Sequence, residues 1–172
     1  MKKPLITAAI IIAAGIALYL FTRPTISGTA VTVQTGLINT SGASGIALSG
    51  YDPVAFFTDG KATHGEPEIT TTHQGAIYMF ATRKHKKIFA QNPEKYAPQY
   101  GGFCSLGVSF GSLLPVDIST WKLVNGHLYL HLNPEYAEEF HDDFDNNLKL
   151  ANTEWPKLIE KNKQLNAEEQ NK

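Results

Sequence analysis

The side chains able to hold a metal or act as a nucleophile are few in this 172-residue chain: one cysteine, Cys104, and six histidines, His64, His73, His85, His127, His131 and His141. A thiolate with one or two imidazoles is a donor set that suits copper or zinc. Spacing limits how these residues combine. The chain has no Cys-x-x-Cys, His-x-His or His-Glu-x-x-His run, and His127 and His131, four residues apart on one expected strand, stand roughly 13 Å apart. A metal site therefore has to draw on elements distant in sequence.

Cys104 is the first candidate, because Tyr100-Gly-Gly-Phe-Cys-Ser-Leu-Gly-Val-Ser-Phe-Gly111 surrounds it with glycines that allow close backbone approach and positive φ. A lone cysteine has no internal disulfide partner, which leaves a ligand, a reactive thiol, an intermolecular link or a packed core residue. A cation nearby, with Lys122 the candidate, would lower the thiol pKa and activate it. His73, beside the first expected hairpin turn, and His131, at the far end of the second hairpin, are the next candidates. His64 in a Gly-rich turn, His85 among Arg83, Lys84, Lys86 and Lys87, and His141 beside Asp142 read as ordinary solvent positions.

The elements that must position these residues follow from turn and cap signals. Asp52-Pro53 reads as a helix cap with proline in the first turn, and Thr58-Asp-Gly60 ends that short segment. Extended residues on either side of Gln74-Gly75, from Glu68 to Ala81, predict a first β-hairpin. Thr82 then caps a helix that packs Ile88 and Phe89 inward and closes at Asn92-Pro93. Asn133-Pro134 repeats that capping chemistry before a helix with Tyr136, Phe140 and Phe144 on one stripe. Asp145 starts a further helix carrying Leu148, Ala151 and Trp155.

Asn125-Gly126 is the strongest turn signal in the chain. A two-residue loop pairs Val124 with His127, placing Trp121, Leu123, Leu128, Leu130 and Leu132 on a core face and Lys122, His127, Tyr129 and His131 on the other. The fold class is thus α+β: small antiparallel hairpins packed with several helices, after one N-terminal transmembrane helix.

That last element is the uncharged run from Leu5 to Phe21. Seventeen helical residues reach about 25 Å, the lower limit for crossing a bilayer. Two lysines before it and a single arginine after it keep the N-terminus cytoplasmic, so the remainder is expected on the extracytoplasmic, periplasmic or outer, side. A cleaved signal with its site near Gly28-Thr29-Ala30 is the competing reading. The expected organisation is an anchor over 1–24, a Ser/Thr/Gly-rich tether over 25–45, one domain over 46–156 and a polar tail over 157–172 with its last dozen residues frayed. A net charge of −1 with no basic face gives a nucleic-acid partner no support. Phosphate-cradle motifs are absent too.

Gly50-Tyr-Asp-Pro-Val-Ala-Phe-Phe57, Gly75-Ala-Ile-Tyr-Met-Phe80 and Asn92-Pro-Glu-Lys-Tyr-Ala-Pro-Gln-Tyr-Gly-Gly-Phe-Cys104, in this order and spacing, resemble the YHS domain family, in its extracytoplasmic branch with a Gly-Gly-aromatic-Cys motif. The resemblance implies a heavy-metal module. The cysteines that the family sets in Asp-Pro-Val-Cys and Phe-Cys-Ser-x-x-Cys are replaced here by Ala55, Ala81 and His85, so the family's metal site does not carry over intact. What the resemblance implies for this chain is a non-catalytic copper- or zinc-handling module centred on Cys104, with His73, His85 or His131 as partner. The alternatives are a thiol-based enzyme or redox or small-molecule-binding protein using Cys104, and an envelope scaffold in which Cys104 is inert.

Overall fold

Two turns in which both central residues have positive φ set the sheet architecture. The computed structural model describes residues 36–40 and 44–170; the expected anchor over 1–24 and most of the tether lie outside the described residues. Gln74 and Gly75 (φ 50° and 83°) join β1 (Glu66–His73) to β2 (Ala76–Phe80), and Asn125 and Gly126 (φ 52° and 77°) join β3 (Asp117–Val124) to β4 (His127–His131). Both pairs are antiparallel and form separate two-stranded sheets. The register Val124↔His127, Leu123↔Leu128 and Lys122↔Tyr129 is the one the two-residue loop dictates.

Six α-helices accompany the hairpins among the described residues: α1 (Ala55–Thr58), α2 (Arg83–Gln91), α3 (Pro93–Tyr96), α4 (Ser105–Ser109), α5 (Pro134–Asp142) and α6 (Phe144–Gln170). The expected caps do their work. Thr82 Oγ1 accepts from His85 N at 3.0 Å, Asn92 Oδ1 from Lys95 N at 3.3 Å and Asn133 Oδ1 from Tyr136 N at 2.9 Å. The α+β class, with two small antiparallel hairpins and helices packed on them, is thus present.

The second hairpin is the middle layer. Leu128 and Leu130 join Phe56, Tyr78, Phe80 and Phe89 in one apolar cluster towards the first hairpin. On its opposite face, Tyr129 joins Cys104, Leu106, Val108 and Phe140 in a second cluster beneath α4, α5 and α6. Burying a side chain such as Phe89 or Phe140, both fully covered, contributes about 2 kcal/mol. The face that alternation alone leaves outward is therefore buried at Tyr129 and His131, while Leu123 on the expected core face is 37% exposed.

Residues 36–40, expected in the tether, pack on the domain: Ile38 is buried, and Asn39 donates its backbone N–H to Gly101 O at 2.8 Å and its side-chain amide to Gly102 O at 3.0 Å. The C-terminal expectation also changes. Helix α6 continues through Pro156 to Gln170, because Ala151, Trp155 and Leu158 pack on the second cluster and offset the hydrogen bond that an interior proline forfeits.

Candidate functional site: a buried histidine pair

Cys104 is fully buried. Its N–H donates to Leu114 O at 3.1 Å, its carbonyl accepts from Val108 N at 2.9 Å at the start of α4, and its neighbours are Tyr100, Leu106, Val108 and other apolar residues. The glycines around it serve packing. Gly101 has φ 61°, and a methyl on it would strike the Leu37 carbonyl oxygen; one on Gly107 would press on Leu114 at 3.0 Å. The glycine density that marked this loop as a site thus reflects close approach of its own backbone and side chains. Lys122 acts electrostatically on His131 and His141.

His85 departs from the solvent position its basic neighbours suggest. Its Nδ1 lies 2.7 Å from Asp52 Oδ2, both residues are buried, and Asp52 also accepts from Val54 N at 2.8 Å, Ala55 N at 3.3 Å and Ala81 N at 2.8 Å. Asp52 is more than the helix cap read from sequence, since it ties the start of α1 to the end of β2 and to α2. The other ring nitrogen of His85 lies 3.5 Å from Thr58 Oγ1 and 3.8 Å from Asp59 Oδ1.

His73 sits apart from both. Its Nε2 is 3.1 Å from Glu94 Oε1, close enough for charge attraction when the ring is protonated but without hydrogen-bond geometry. Tyr78 and Phe89 surround it at ring distances of 6.2 and 5.8 Å. Burial, with Glu94 adding to it, pushes the Tyr78 phenol far above its ordinary range.

His131 closes β4 and is built differently. Between Asp117↔His131 and Lys122↔Tyr129 the register slips, a bulge in β3 that takes Thr120 out of the regular ladder. The Thr120 hydroxyl substitutes for a ladder partner: it accepts from His131 N at 3.1 Å and donates its one proton to the carbonyl of His131 (2.8 Å) or Asp117 (2.6 Å). The carbonyl of Thr120 lies 3.1 Å from His131 Nδ1. A carbonyl only accepts, so Nδ1 carries the proton, and in the neutral ring the bare lone pair is on Nε2. That Nε2 is buried with no hydrogen-bond partner among the described residues, in a residue with no solvent exposure.

His141, on α5, stands beside it. The two rings meet edge to face, centroids 5.1 Å apart, and His141 stacks flat on Phe144 at 5.6 Å. Its Nε2 is likewise buried and unpartnered among the described residues. Burial holds His131 down at about 4, with His141 and Lys122 adding to the shift against the Thr120 hydrogen bond, and burial and Lys122 lower His141 in the same direction. Both shifts favour the neutral ring, and in His131 the free lone pair is the one on Nε2. On its solvent side His141 lines a cavity of about 560 Å³ between β3 and α5.

Of the residues singled out from sequence, only His131 belongs to this pair. Cys104, His73 and His85 lie in three different settings, and no group of three or more His, Cys, Asp or Glu side chains able to hold an ion is gathered among the described residues. Cys104 and its candidate partners His73, His85 and His131 are each bound into their own local packing. His141, read as a solvent position, is the partner that sequence missed; its place directly after core Phe140 is the signal that could have found it.

No family model, curated protein or solved structure matches the chain.

Proposed function

We propose that this chain is a membrane-tethered, extracytoplasmic YHS-type domain that handles a copper or zinc ion without itself catalysing a reaction, and that His131 and His141, in place of Cys104, hold the ion. The observation that carries the reading is the pair of buried, unpartnered Nε2 atoms on neighbouring rings. An orphaned polar atom in a core costs about 1–3 kcal/mol, and two on neighbouring rings are a cost that ligation removes. Neutral imidazoles are ligands for both metals. An ion bound there would supply positive charge that meets both lone pairs at once.

The chain's own residues prepare the pair. The Thr120 carbonyl fixes the His131 tautomer and ring orientation, the outer-shell role that ligating histidines require. Phe140 and Phe144 flank the rings and exclude water. The test is metal content of the full-length protein in detergent after challenge with zinc or copper and desalting. One ion per chain that disappears in His141→Phe and persists in Cys104→Ala supports the reading; an ion lost in Cys104→Ala and kept in His141→Phe overturns it.

A second reading, a scaffold with an inert thiol, is favoured by the complete burial of Cys104. It expects no bound metal and a thiol that reacts only on unfolding.

A further inference from the structure

Two imidazoles leave a divalent ion short of its ordinary four ligands, and the cavity beside His141 holds a third donor. Glu138 precedes His141 by three residues on α5, so the two side chains share one face of the helix. Both line the same cavity, with Thr120 and Lys122 of β3 opposite. Glu138 is exposed and makes no ion pair among the described residues. Its carboxylate is therefore not committed to another contact, and in a long, unbranched side chain it can rotate towards the helix face it shares with His141. The neighbouring Glu139 does not line this cavity; it borders a surface depression on the side of Phe110 and Leu150, which Glu138 also borders.

We propose that Glu138 is the third ligand of the His131–His141 site, and that the completed two-imidazole, one-carboxylate set takes a divalent ion, zinc or copper(II), in preference to copper(I). The inference rests on the histidine pair being the metal site. Carboxylate oxygen is a hard donor that suits divalent ions, whereas copper(I) favours soft sulfur ligands, which this cavity lacks among its lining residues. In the metal-free chain no three such donors converge, so Glu138 closes on the ion by rotating its own side chain. Lys122, on the opposite wall, is the cation that the ion has to work against.

The test is competition titration of full-length protein in detergent, with a chromophoric chelator for zinc and a copper(I)-selective chelator for copper(I). Glu138→Gln is expected to weaken zinc binding by about 10- to 100-fold, as loss of a supporting group at a metal site does, and to leave copper(I) binding unchanged. Glu139→Gln, which removes the same charge from the next position, is expected to bind zinc as the unmodified chain does. Lys122→Gln is expected to tighten zinc. Unchanged zinc affinity in Glu138→Gln, or an equal loss in Glu139→Gln, overturns the role of Glu138 while leaving the histidine pair standing. Failure of the unmodified chain to bind either ion overturns the histidine site itself, and the role of Glu138 with it.

Discussion

Asp52 Oδ2 and His85 Nδ1 meet at 2.7 Å across 33 residues of sequence, with the carboxylate fully buried. Three backbone N–H groups converge on the same carboxylate, so it fastens three elements at once. Removing one partner of such a pair leaves an uncompensated buried group. Asp52→Ala is expected to cost about 3–5 kcal/mol, and His85→Ala to be comparably destabilising. Urea denaturation of the variants checks this. Losses below about 1 kcal/mol in both would show that the pair does not hold the fold.

The histidine pair sets a pH dependence whose sign follows from burial. His131 is held down at about 4 in the folded chain, against an ordinary value near 6.5 in the unfolded one. Between these values the unfolded state takes up the proton and the folded state resists it, so stability is full above about 6.5 and falls as pH drops towards 4. For His131 alone the loss is on the order of 3 kcal/mol. His141 adds in the same direction. Lys122 from β3 acts on both rings, and Glu138 and Asp142 from α5 line the cavity beside His141. Urea midpoints of the metal-free protein at pH 7, 5.5 and 4 test this, and His131→Phe is expected to flatten the slope. The same slope in that variant would place the titration elsewhere.

Much of the fold was legible because its signals are local. Asn125-Gly126 determined the β3–β4 register, and Thr82, Asn92 and Asn133 each cap the helix expected of them. The failures are tertiary. Period-two alternation assigns one face of β4 to solvent, yet α4, α5 and α6 cover that face, so Tyr129 and His131 are core residues. The bulge at Thr120 that turns a carbonyl onto His131 has no glycine or proline to announce it. Basic neighbours around His85 hid its buried partner, because Asp52 lies on another element and its capping role alone explained its presence.

Cys104 is expected to behave as a core atom. Alkylation of the folded protein should be slow and should accelerate on denaturation, because the thiolate has no route to reagent. Cys104→Ala is expected to cost about 1 kcal/mol, the scale of one deleted buried group. Rapid modification under native conditions would return the thiol-enzyme reading to the front.

X-ray absorption at the zinc edge, on zinc-loaded full-length protein, tests the metal assignment most directly. A first shell of nitrogen and oxygen only, with the outer-shell scattering of two imidazoles, is the expected result. A sulfur scatterer at about 2.3 Å would put Cys104 on the ion and contradict the assignment to His131 and His141.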